Sequence, residues 1–168
     1  MATHFRFAHD FDIDAKGYWE IFFDDAYNVE LYKRTKIKNR QVISQTDDGK
    51  VLRRTQRLTP DQELPGFIKS IISDVTYTEH DVLHRDRSEM EVVIEPAMMK
   101  NKFDFRAIYS VKPLAEGRCR RVFEGDSKVS VMLVGGQIEK YMIDEMRKSY
   151  DEAAKVTAEF IARRKAAV

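Results

Sequence analysis

The sequence predicts an α+β fold, a curved antiparallel sheet wrapped around one long C-terminal helix in the order β-α-α-β6-α. Three observations predict it. Phenylalanines alternate with polar residues at the start. Six strand-like segments then follow one another between Lys36 and Met132 with only turns between them. Finally, about Val134–Arg164 repeats its apolar residues at helical spacing.

Each element follows from local pattern. In Thr3–Phe11 the side chains of Phe5, Phe7 and Phe11 fall on one face and His4, Arg6 and Asp10 on the other, which is strand periodicity. At Asp14, a suitable N-cap, the period changes, and Ala15, Tyr18, Trp19, Phe22, Phe23 and Ala26 recur at helical spacing. A second short helix is expected over about Asp25–Lys33. Strands are then expected from Lys36 to near Gln45, and over Val51–Leu58, Val75–Leu83, Met90–Ile94, Phe103–Val111 and Arg118–Met132. Asp47-Asp48-Gly49, Arg85-Asp86-Arg87, Pro96–Asn101 and Pro113–Gly117 supply turns, and Pro60–Ser73 a longer connection. Short connections favour an antiparallel meander. On the last helix, Ile138, Met142, Met146, Tyr150, Val156 and Phe160 make an inner stripe. Asp144–Lys148, Asp151–Lys155 and Glu159–Arg163 are spaced for ion pairs on its outer side.

Composition limits the function. The chain of 168 residues carries 29 Lys+Arg against 28 Asp+Glu, a formal charge of +1, which argues against a dedicated nucleic-acid binder. At 43% hydrophobic and 11% aromatic it holds enough apolar material for a core. No linker or repeat divides it, so residues 1–168 read as a single domain. The lone cysteine, Cys119, excludes an internal disulfide framework and fits a reducing compartment. Met1–Phe11 lacks an apolar run of signal-peptide length, and no stretch approaches the roughly 20 residues of a membrane span. The expected location is cytoplasmic.

The segment Phe11–Tyr32 (FDIDAKGYWEIFFDDAYNVELY) and Met132–Phe160, with Gly135-Gly136 opening the last helix, resemble the helix-grip fold of the START-related, polyketide-cyclase-like superfamily. The resemblance covers nearly the whole chain and is nearest to a bacterial family of unknown function within it. It implies a cavity between sheet and helix that holds an apolar or amphipathic molecule. It carries over no catalytic residue, because function on such a fold lies in its particular site.

A meander places alternate loops at opposite ends. Asp47–Lys50, His84–Arg87 and Leu114–Arg118 share a charged end, whereas Pro60–Ser73, Pro96–Lys102 and Met132–Gly136 share an apolar one. Leu64, Phe67, Ile68, Met98 and Met99 at that end either plug the core or form a gate for an apolar ligand. Methionines repack readily around different shapes, and Pro65-Gly66 supplies a hinge. With Lys69, Lys100 and Lys102 beside them, the same residues suit transient contact with an anionic membrane surface.

Strand parity gives the expected cavity lining. Tyr77, Met90, Val92, Phe105, Tyr109 and Phe123 face inward from the sheet, and Arg121 with them. Trp19, Phe23, Met142, Met146 and Tyr150 close the space from the helices. Arg121 and Glu79 are the charged members of the inward set. Either a β-bulge or an edge pairing returns them to solvent, or each requires a partner, water or an anionic ligand group.

Other chemistry finds no support. His80 and His84 lie on one strand, about 13 Å apart at ~3.3 Å per residue, too far to share a metal. No phosphate loop, nucleophile elbow or zinc-protease motif occurs. Cys119 sits among Arg118, Arg120 and Arg121, which favours a thiolate, yet no fixed base adjoins it and a small core residue is the simpler reading. The sequence therefore points to a binding domain for a lipid-like or other hydrophobic small molecule, without catalysis, cofactor, metal or nucleic acid. A cyclase or dehydratase using Glu79, Tyr77, Tyr109 and Arg121 is the alternative. A protein-interaction module with its partner over the Phe67 and Met98 end is a third.

Overall fold

Asp14 and Asp24 begin the two short helices for the same reason. The Asp14 carboxylate accepts from the backbone N–H of Gly17 at 2.7 Å, and that of Asp24 from Tyr27 at 3.0 Å. The computed structural model describes all 168 residues, Met1–Val168. Its elements are β1 (Thr3–Phe11), α1 (Ala15–Phe22), α2 (Asp25–Arg34), β2 (Ile37–Asp47), β3 (Val51–Pro60), α3 (Gly66–Lys69), β4 (Tyr77–His84) and β5 (Glu89–Pro96). A short 3-10 turn at Lys100–Lys102 leads into β6 (Phe103–Ala115), β7 (Arg118–Val129) and α4 (Gly135–Ala166).

The seven strands form one antiparallel sheet in the order β1-β7-β6-β5-β4-β3-β2, so the meander is completed by β1 pairing alongside β7. Register sets Phe7 opposite Phe123, Tyr109 opposite Phe123, and Met90 opposite Tyr109. These residues share the concave face, and the Phe123 ring stacks on Tyr150 of α4 at 4.6 Å between centroids. Sheet and helix thus meet in a largely aromatic core. Gly125 permits the close β6–β7 approach there, since a Cβ at that position would lie 2.2 Å from the Arg106 carbonyl oxygen.

At 32 residues, α4 is on the order of 48 Å long. Its start is held by Glu139, buried, whose carboxylate accepts from the Val129 N–H at 2.6 Å and the Thr3 hydroxyl at 2.5 Å. Its far half packs on α2, where the hydroxyls of Tyr27 and Thr157 hydrogen-bond at 2.8 Å and Arg34 pairs with Glu152 at 2.6 Å. The expected pairs Asp144–Lys148, Asp151–Lys155 and Glu159–Arg163 do not form. Asp151 instead takes His9 of β1, Glu159 takes Arg34, and Arg163 reaches Glu30, while Lys148 and Lys155 turn to Glu145 and Glu152. Side chains expected on a free surface therefore tie α4 to its neighbours.

Several element ends differ from expectation, β6 running on to Ala115 rather than stopping at Val111. β4 begins at Tyr77 rather than Val75, and β7 ends at Val129 rather than Met132 because the Val131 carbonyl already accepts from Gly135 in the first turn of α4. The charged turns meet at one end, where Arg85 pairs with Asp47 at 2.6 Å. At the other, the Met98 sulfur accepts from the Ser73 hydroxyl and the Asp74 N–H, each at 3.3 Å. Ile68, Val129 and Ile138 form a small core beneath those loops, with Leu64 and Met99 against it. Cys119 is fully buried in the main core, and burial pushes its thiol up to about 11.

Candidate functional site: a cavity between sheet and helix

The curvature of the sheet keeps its middle away from α4, leaving a cavity of about 1220 Å³. Of the 43 residues around it 27 are hydrophobic, so most of the wall suits an apolar molecule. Met90, Val92, Phe105, Tyr109 and Phe123 line it from the sheet, and Met142, Met146 and Tyr150 from α4. Leu64, Ile68, Met98 and Met99 close one end. Exposed residues on its border, Lys36, Asp61, Glu63 and Lys148, mark an opening between α4 and the chain around the α2–β2 and β3–α3 connections, and Asp74 lies beside Met98.

Three expected residues are elsewhere. Trp19 lies beyond Tyr109, where its indole N–H donates to the Ser88 hydroxyl at 2.7 Å, toward the charged end of the sheet. Phe23 packs under Arg54, and its neighbour Phe22 reaches the wall instead. Phe67 is 41% exposed and takes no part in the cavity, because the single turn of α3 directs Ile68 inward and its neighbour out.

No bulge interrupts β4 or the Arg121 stretch of β7, so neither route to solvent applies to Glu79 or Arg121. Arg121 is 1% exposed and borders the cavity. Its guanidinium touches no carboxylate. It donates to the Tyr18 and Tyr109 hydroxyls at 3.3 and 3.4 Å, to the Tyr150 carbonyl at 3.0 Å, and to His9 Nδ1 at 2.8 Å. Since guanidinium only donates, that His9 nitrogen is the acceptor, and the proton on Nε2 goes to Asp151 at 2.8 Å. Burial, then the charge of Arg121, lowers the His9 pKa and keeps the ring neutral. The nearest compensating carboxylate is thus one imidazole away. The faces of Phe11, Tyr150 and Tyr109, with centroids at 5.2, 5.4 and 5.9 Å, supply part of the missing stabilisation.

Arg54 on β3 has the opposite surroundings. It is 2% exposed and lies opposite Asp81 of β4, to which its Nε donates at 2.9 Å, with Glu79 at 3.9 Å. Two carboxylates share one guanidinium. Burial first, and then the charge of Glu79, pushes Asp81 well above the usual carboxylate range. Glu79 faces the cavity with Tyr77 and Arg54, and accepts from Gln56 at 2.7 Å. Arg54 and Asp81 were missed in the sequence, as was His9. Asp81 and His9 continue readable parities, Asp81 after Tyr77 and Glu79, His9 between Phe7 and Phe11.

The tyrosines on the wall are neutral donors. Burial raises Tyr109 to about 12 and moves Tyr77 and Tyr150 well above the phenol range. On the outer face His80 and His84 pair separately with Glu95 and Glu91.

The model of a family described as "Protein of unknown function (DUF2505)" matches residues 6–161. No curated protein matches the sequence. Among solved structures, the Zhui aromatase/cyclase from Streptomyces sp. R1128 superposes with a TM-score of 0.71 at 12% identity, covering 98% of this chain and 96% of that one. A START superfamily protein from Mycobacterium smegmatis gives 0.60 at 14%, covering 94% and 98%. Norcoclaurine synthase from Thalictrum flavum gives 0.67 at 12%, covering 96% and 87%. Identities this low establish the helix-grip fold and leave the chemistry to the site.

Proposed function

The chain belongs to the DUF2505 family of proteins of unknown function, and on its geometry we propose that it binds and carries a hydrophobic small molecule between sheet and α4. The observation that carries this reading is the cavity of about 1220 Å³ itself, larger than a packed core leaves by accident and walled mainly by apolar side chains. Titration with fatty acids and with polycyclic aromatics under native mass spectrometry tests it. One molecule should bind per chain, be recovered with unchanged mass, and be lost on Met146→Trp, which fills the cavity from α4. No binding of any apolar probe to the folded protein would end this reading.

One observation favours a second. Glu79 faces the same cavity with Asp81 behind it, an arrangement able to pass a proton, and two of the structural neighbours are named as enzymes. A cyclase- or dehydratase-like step would show as a changed mass of the recovered ligand that disappears in Glu79→Gln.

A further inference from the structure

At the Arg121 end of the cavity hydrogen-bond donors outnumber acceptors. The two phenol oxygens of Tyr18 and Tyr109 hydrogen-bond to each other, and Arg121 Nη1 donates to both. Only one proton can lie between two oxygens, so one of the two phenol hydrogens is left over. Tyr18 is 1% exposed and does not reach the cavity, so a spare proton on it would be buried without an acceptor. The favourable arrangement has Tyr18 donating to Tyr109, and Tyr109 directing its own O–H into the cavity. The adjoining guanidinium adds a positive charge that no carboxylate contacts, and its buried Nε has no partner.

From this surplus we infer that the ligand is a hydrophobic monocarboxylate whose anionic oxygens lie against Tyr109 and Arg121, with its apolar body extending toward Met142 and Ile68. The inference rests on the proposed carrier role and narrows it to one ligand class. A carboxylate supplies only acceptors and one negative charge, so it answers the spare phenol hydrogen and the uncompensated cation together. An amine would add to both surpluses. An alcohol answers the first alone. Glu79 does not fill the role from within the protein, being held by Gln56 and shared with Arg54 and Asp81.

Octanoic, dodecanoic, hexadecanoic and 2-naphthoic acids, each with the alcohol and the amine of the same carbon skeleton, provide the test by calorimetry at pH 7.5. At least one acid should bind roughly tenfold or more tighter than its alcohol, with the amine weakest. Tyr109→Phe and, separately, Arg121→Met should reduce that advantage to within about threefold, the first because the phenol's bond to a carboxylate is stronger than its bond to an alcohol, the second with alcohol affinity retained. Where Arg121→Met does not fold, Tyr109→Phe decides. Equal binding of acid and alcohol, or an advantage surviving in Tyr109→Phe, would overturn the inference and leave the carrier role standing. Failure of acids, alcohols and amines alike to bind would overturn both.

Discussion

Arg121 and Arg54 are both buried to within 2% exposure, yet one touches neutral acceptors only and the other two carboxylates. The consequences differ with pH. His9 has its pKa lowered by burial and by Arg121, so the unfolded chain takes up its proton first as the pH falls. Its contribution to stability is complete above the unfolded value of about 6.5, declines as the pH drops below that, and levels off beneath the lowered native value. Thermal melts between pH 8 and 5 should show this loss, and His9→Gln, which still offers Arg121 an acceptor, should flatten it. Asp81 acts in the opposite sense. Its raised pKa makes the native state hold a proton the unfolded chain releases, so stability falls as the pH rises above about 4. Asp81→Asn should therefore match the wild type in acid and become relatively more stable toward neutrality. Arg54→Met, which leaves the two carboxylates without their cation, should cost about 3–5 kcal/mol in chemical denaturation.

At the scale of elements, the start of α4 is fixed by contacts that leave no slack. Gly135 needs to lack a side chain because a Cβ would stand 2.3 Å from the Val129 carbonyl oxygen. Gly135→Ala should destabilise by roughly 1–3 kcal/mol, through displacement of the helix start from β7. Glu139→Ala, which strands the buried Val129 N–H, should cost about 1–3 kcal/mol, readable in the same denaturation curves. Neither device was legible beforehand. Periodicity located β1, α1, α2 and α4 to within a few residues, because alternating phenylalanines and a long apolar stripe depend on local spacing alone. It likewise put Arg121 and Phe123 on one face. The pairing of Arg54 with Asp81 depends on the register across the long β3–β4 connection, which no local pattern states. Phe67 and Ile68, expected together at the gate, part company because a single helical turn has too short a period to show its inner face. Two of the α4 ion pairs failed as local expectations because partners on β1 and α2 took Asp151 and Glu159, and the third because Lys148 turned to Glu145 of the same helix.

For the molecule as a whole, the cavity borders the line where α4 faces the Asp61–Leu64 segment before α3. Two hydrogen bonds span that line. Gln62 donates to Glu145 at 2.6 Å, and the Tyr141 hydroxyl donates to the Glu63 carbonyl at 3.4 Å. Beyond these, the segment is held at its start by the Asp61 N–H donating to the Lys36 carbonyl at 2.7 Å and at its end by Leu64 against the small core under the loops, and it belongs to neither sheet nor helix. Breaking both bonds should thus change the rate of passage far more than the stability of the fold. With a ligand loaded, Gln62→Ala combined with Tyr141→Phe should speed release by about five- to thirtyfold in a stopped-flow displacement experiment, the effect of 1–2 kcal/mol on a barrier, while the denaturation midpoint stays near that of the wild type. Release at the original rate would mean that the molecule leaves past Met98 and Asp74 instead, and that the polar line along α4 is a seam rather than a door.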